Sequence, residues 1–132
     1  EAQYADLAEL YTSDASYEPG TVVKLGGEAE VTQTTDLFCA NVFGIVSTDP
    51  AYLMNSMCEG NTVAVALAGR VPCKVMGLVK KGDRILASDE PGVGRAPDEL
   101  SDVKDWYRIV GRALEDKTTK GIGLIEVVVG AK

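Results

Sequence analysis

The chain predicts a mainly β fold: a small single-domain antiparallel β-sandwich or partly closed barrel with one or two short helices. Three observations carry that expectation. Val63-Ala64-Val65-Ala66-Leu67-Ala68 and Val71-Pro72-Cys73-Lys74-Val75 alternate with a period of two, which turns one row of side chains to a core and the other to water. Glycine and proline signals interrupt the sequence often enough to leave about seven to nine short strands and little helix. At 132 residues and 45% apolar content, the chain is long enough for one packed core.

The elements follow in order. Residues 1–16 form an N-terminal helix or a junction arm: Tyr4, Leu7, Ala8 and Tyr11 have helical spacing, and an extended arm fits equally. Residues 17–132 form a single β-rich domain. Tyr17-Glu18-Pro19-Gly20 is a turn, Thr21–Leu25 a β-branched strand, and Gly26-Gly27 a hairpin reversal leading to a half-exposed return over 30–35. Phe38–Ser47 is nearly all apolar and reads as a strand buried on both faces, with Gly44 marking a bulge or close approach. Ala51–Asn55 is ambiguous and fits one helical turn.

Asn61–Pro91 holds three strand-like runs with a charged reversal at Lys80-Lys81-Gly82-Asp83. Residues 89–98 are a Pro/Gly loop, 97–103 suit a short helix with an acidic first turn, Trp106–Leu114 reads as a strand, and Ile122–Gly130 as a final central strand.

Composition narrows the chemistry. The net charge of −7 disfavours non-specific nucleic-acid binding, although Lys80, Lys81 and Arg84 make a local basic cluster whose plain reading is a solvated turn. No apolar run approaches the ~20 residues of a membrane helix. The absence of histidine removes Ser-His and Cys-His nucleophile activation and imidazole metal ligands. Cys39, Cys58 and Cys73 lack zinc-site spacing and read as small buried hydrophobes. Gly92-Val93-Gly94 and Gly121-Ile122-Gly123 lack the rest of a phosphate loop, and the acidic pairs Asp14/Glu18 and Asp98/Glu99/Asp102 match no calcium loop. The residues therefore suggest no catalytic, cofactor-binding or metal-binding set, and point away from an enzyme.

Several phrases together carry a resemblance: AQYADLAELY at 2–11, YEPGTVVKLGG at 17–27, VFGIVSTDPAYLMNS at 42–56, VALAGRVPCKVMGLVKKGD at 65–83, then IVGRALEDK and GLIEVVVG. In this order and spacing the chain resembles the C-terminal domain of tail-fibre or appendage structural proteins of tailed bacteriophages, notably marine and cyanobacterial ones. The likeness covers most of the chain and is weakest over Asp89–Tyr107. It implies a virion protein assembled in the bacterial host cytoplasm, a homotrimer, other virion proteins and a host surface glycan as partners, and residues 1–11 as a junction to an upstream shaft. A related group contains self-cleaving intramolecular chaperones; its cleavage residues find no counterparts here. A capsid decoration protein is a further alternative.

Under this resemblance Tyr4, Tyr11 and Trp106 are expected at subunit contacts, since aromatics suit interface cores. Arg70 and Pro72 join them, because proline belongs at a strand edge where a neighbouring subunit can dock.

Overall fold

One long strand ties the molecule together. The computed structural model describes residues 6–47, 52–54, 61–98 and 103–130. Its strands are β1 (Leu7–Thr12), β2 (Val22–Leu25), β3 (Val31–Gln33), β4 (Val42–Val46), β5 (Tyr52–Met54), β6 (Thr62–Met76), β7 (Arg84–Ala87), β8 (Gly94–Arg95), β9 (Gly111–Ala113) and β10 (Gly123–Val129). The two alternating runs expected as separate strands are one 15-residue strand, β6. Gly69, at φ 102°, lets the backbone pass between the two halves in a conformation that a residue with a Cβ rarely adopts.

The two halves of β6 serve different sheets. Its N-terminal half is flanked by β1 and β4, and β2 and β3 continue beyond β4, while β5 adds to β1. Its C-terminal half pairs with β10 on one edge and β8 on the other. From β10 the pairing runs through β9 and β7 back to β8. These five strands, β6-β10-β9-β7-β8, close on themselves, so the fold is a closed barrel with a second sheet growing from its longest strand. Most pairings are antiparallel; β1–β5 and β6–β8 are parallel.

Alternation fills the core as the period-two pattern requires. Val71, Cys73 and Val75 of β6 meet Ile85, Ala113, Ile125, Val127 and Val129 inside the barrel. Val23, Val31, Val46, Val63 and Val65 form a second cluster with Tyr11, Tyr17 and Phe43 packed against it. Val22 and Ile45 belong to the first cluster while Val23 and Val46 belong to the second, so β2 and β4 are buried on both faces.

Several local expectations change. Residues 7–12 are a strand: β1 pairs with both β5 and β6, and its backbone groups are satisfied by those neighbours. Tyr52–Met54 is a strand rather than a helical turn. Trp106–Val110 is not a strand. Val103–Arg108 is a 3-10 helix, and β9 begins only at Gly111. This six-residue 3-10 helix is the only helical element among the described residues, within the one or two short helices expected. No helix among the described residues is long and apolar enough to cross a membrane.

Candidate subunit-contact surface

The expected contact residues fall in different places. Tyr4 lies outside the described residues, as does Cys58. Tyr11 sits on β1, half-buried, with its ring edge-on to Phe43 (centroids 5.0 Å apart, planes at 89°) and its hydroxyl donating to Glu9 Oε1 at 2.7 Å. Burial, then the Glu9 hydrogen bond and the negative field of Glu9 and Glu30, push its phenol up to about 12. Tyr11 is thus engaged within its own domain. Trp106 is 56% exposed on the 3-10 turn beside Tyr107 and Arg108. Arg108 stacks over the Tyr107 ring at 5.3 Å and donates to the Phe38 carbonyl at 2.7 Å, which ties that turn to the loop before β4.

Arg70 and Pro72 share one face of β6, two residues apart. Pro72 lies opposite Glu126 in the β6–β10 pair, so one edge of the strand is paired at this position. Lys74 donates its backbone N–H to the Gly20 carbonyl at 2.9 Å, so the amide edge of Lys74, and of Pro72 in the same phase, faces away from β10. On that side β4 pairs at Ala66 and Val65, and β8 pairs at Val75 and Met76. Pro72 occupies the interval between them, where its missing N–H removes no ladder hydrogen bond.

Two surface depressions flank this strand. One, of about 410 Å³, is lined by Ser16, Tyr17, Glu18, Thr21, Gln33 and Lys74. Lys74 closes it with an ion pair to Glu18, which holds that carboxyl below its ordinary range, first through the hydrogen bond and then through the charge. The other, of about 450 Å³, lies on the outer barrel face and is lined by Arg70, Lys81, Gly82, Arg112, Ala113, Leu114 and Val128.

Strand register organises this second depression. Arg84 of β7 lies directly opposite Arg112 of β9, Arg112 opposite Val128 of β10, and Val128 opposite Arg70 of β6. The neighbouring residues Ile85, Ala113, Val127, Val129 and Val71 are buried, so this lateral row is the outward one. Sequence reasoning named Lys80, Lys81 and Arg84 as one local cluster and Arg70 apart from it. It missed Arg112 and the row, because only register brings residues 70, 84 and 112 together. A signal was present in the charge distribution: residues 6–47 carry seven acids and the single base Lys24, whereas the bases cluster after residue 61.

Cys39 and Cys73 are buried free thiols, as expected of small hydrophobes. Burial pushes the Cys73 thiol up to about 12. Alkylation with iodoacetamide at mildly alkaline pH, read by peptide mass mapping, should leave Cys73 unmodified in the native protein and modify it in urea. Native modification as fast as that of an unfolded thiol would contradict the closed barrel around it. Among the described residues, no group of three or more Asp, Glu, Cys or His is arranged to hold a metal ion.

No protein-family model and no curated protein matches the chain. Solved structures do. The crystal structure of the pre-mature bacteriophage phi29 gene product 12 is similar with a TM-score of 0.68 at 15% identity, over 97% of this chain and 22% of that one. The crystal structure of the C-terminal fragment of the bacteriophage phi29 gene product 12 is similar with a TM-score of 0.66 at 16% identity, over 94% of this chain and 99% of that one. The chain thus spans about a fifth of the longer protein and corresponds to nearly the whole of its C-terminal fragment. At these identities the likeness is one of fold, and it agrees in kind with the bacteriophage resemblance read from the sequence phrases.

Proposed function

We propose that this chain is a non-enzymatic structural domain of a bacteriophage virion, which self-associates as a homotrimer at the end of a tail fibre, appendage or external filament. The observation that carries the reading is the shared fold, matched end to end with a C-terminal fragment of a phage protein. The exposed apolar side chains support it. Leu78, Ile122 and Leu124 are 56%, 54% and 61% exposed at the same end of the β6–β10 pair, and apolar area of that kind favours association. In this reading the domain reaches the virion after assembly in the host cytoplasm and meets other virion proteins there. Sedimentation velocity across a wide concentration range tests it. A trimer is expected; a monomer at every concentration would overturn it.

One observation favours a second reading. The structural neighbour is known both in a pre-mature form and as a separate C-terminal fragment. A domain of this fold would then act as an intramolecular chaperone that leaves after assembly. Mass spectrometry of the chain expressed with its upstream segment, followed over time, distinguishes the two. A persistent full-length precursor in assembled particles supports the permanent structural domain and excludes release.

A further inference from the structure

We propose that β1 is a hinged strap, which leaves β6 from its Asp6–Leu7 end and pivots at Thr12–Ser13 while the barrel stays folded. The inference concerns a motion within one chain and stands apart from the self-association proposed above.

The firm fastenings of β1 are at its C-terminal end. Thr12 N–H donates to Glu30 Oε1 at 2.9 Å, and Glu30 N–H donates back to the Thr12 hydroxyl at 3.1 Å. Ser13 N–H donates to the Asn61 carbonyl at 2.9 Å, and Ser13 also bridges to Val31. The Tyr11 ring meets Phe43 edge-on. These contacts tie residues 11–13 to β3, to β4 and to the start of β6.

The other end is held poorly. Asp6 is 3% exposed, and its Oδ2 is buried without a hydrogen-bond partner. A carboxyl oxygen taken from water with no partner opposes the closed position of the strand, whether the group is ionised or protonated. The register against β6 shifts between Leu7 and Ala8, which interrupts the ladder there. Leu7 is exposed. Glu9 turns its carboxylate to the Tyr11 hydroxyl two residues along the same strand, so that bond fastens β1 to nothing else. β5 pairs with Leu7–Glu9, but among the described residues β1 is its one strand partner, so it adds no anchorage to the rest of the fold.

Opening gives up little burial. Of the six residues of β1 only Ala8 is fully buried, and no β1 side chain belongs to the cluster that fills the barrel. β1 and β10 hold separate stretches of β6, Thr62–Ala68 and Gly69–Val75, so the β6–β10 ladder is untouched when β1 departs. Segments with few buried apolar contacts open on their own, well below the free energy of global unfolding. The chain ahead of Asp6 joins the loose end, so tension on it is met by β1 before the barrel.

Native-state hydrogen exchange of the full chain, read by NMR, tests the strap. The Ser13–Asn61 bond sets the phase of the pair, so the amides of Glu9 and Tyr11 face β6. Corrected for intrinsic rates, both should exchange at least about tenfold faster than those of Val71 and Val127 in the β6–β10 pair, with little dependence on urea well below the midpoint. Glu9 should exchange faster than Tyr11. Asp6→Ala takes away the unpartnered oxygen and should slow both amides at least about threefold, leaving Val71 and Val127 unchanged. Glu30→Ala cuts the fastening at Thr12 and should bring the Tyr11 rate up towards that of Glu9.

Exchange of Glu9 and Tyr11 at the barrel's rate and with its urea slope would mean that β1 departs only with global unfolding, and overturns the inference. Tyr11 exchanging faster than Glu9 places the loose end on the wrong side and overturns it as well. Faster exchange in Asp6→Ala does the same, since the carboxyl would then be holding β1 closed.

Discussion

Replacing Ile85 by alanine should destabilise the domain by about 2–5 kcal/mol, the range for deleting a buried isoleucine's outer carbons from a packed core. Ile85 has no exposed surface, and it lies in the barrel cluster with Val71, Val75, Val110 and Val127. Its surroundings resist collapse. The Ile85 carbonyl accepts from Val110 N at 2.8 Å, the residue pairs with Gly111, and the wall behind it is closed by the β6–β10 ladder. A cavity left there is held open by hydrogen-bonded backbone, so the loss should lie well above the transfer term alone. Ile85→Val should cost only about 0.5–1.5 kcal/mol.

Gly94 gives the prediction a second arm. A Cβ built on Gly94 would come within 2.8 Å of the Ile85 Cγ2, the two-residue strand β8 closing directly over that methyl. Gly94→Ala should therefore destabilise the wild type, and should do so less in the Ile85→Ala background, where the methyl is gone. Urea midpoints at unchanged slope measure all four chains. Additive effects, or an Ile85→Ala loss under about 1 kcal/mol, would show that the barrel interior is packed more loosely than its burial implies.

Much of this architecture was legible, because burial follows local alternation wherever a strand has one dry face. Val71, Cys73 and Val75 read correctly as inward, Gly26-Gly27 as a hairpin, and Ile122–Gly130 as a central strand, of which Gly123–Val129 forms β10 with partners on both edges. What escaped depends on contacts distant in sequence. The helical spacing of Leu7, Ala8 and Tyr11 is real, yet Ala8 is fully buried between β5 and β6, and sheet pairing overrides so short a helical preference. Trp106-Tyr107-Arg108 has strand-like composition and forms a 3-10 turn, with Arg108 reaching the Phe38 carbonyl 70 residues away. Gly94–Arg95 has no compositional mark of a strand at all, and β8 exists because β6 and β7 offer it edges. The candidate contact residues were legible only one by one or in a short turn. Arg70 was named through a phrase and Arg84 through a turn; their common row with Arg112 is a property of register, which no local pattern encodes.

Lys117 carries the other large expected effect, and it is polar. The residue is 7% exposed, and its ammonium donates to the carbonyls of Gly77 at 2.9 Å, Thr119 at 2.6 Å and Gly121. Three donors meet three acceptors, the full capacity of the group. Around it Lys117 N donates to Val79 O at 2.8 Å, Val79 N returns to Lys117 O at 3.0 Å, and Gly77 N donates to Lys120 O at 2.9 Å, so the loop before β10 is fastened to the connection after β6. Lys117→Met keeps the stem and removes every one of the side chain's bonds. A charged hydrogen bond contributes about 1.5–3 kcal/mol, but Thr119 and Gly121 are exposed and water can take over their carbonyls, so the loss should be about 2 kcal/mol in total.

Lys117→Arg should restore only part of this, since a planar fork does not serve three convergent acceptors. The pH dependence separates the charge from the packing. Burial draws the ammonium's pKa below its ordinary value of 10.5. Between that lowered value and 10.5 the unfolded chain binds more protons than the native one, so this lysine's contribution to stability rises with pH across that window. The gap in urea midpoint between wild type and Lys117→Met should therefore widen as the solution becomes alkaline. A gap that stays constant or narrows would mean that the three carbonyls hold the ammonium's charge more strongly than burial opposes it.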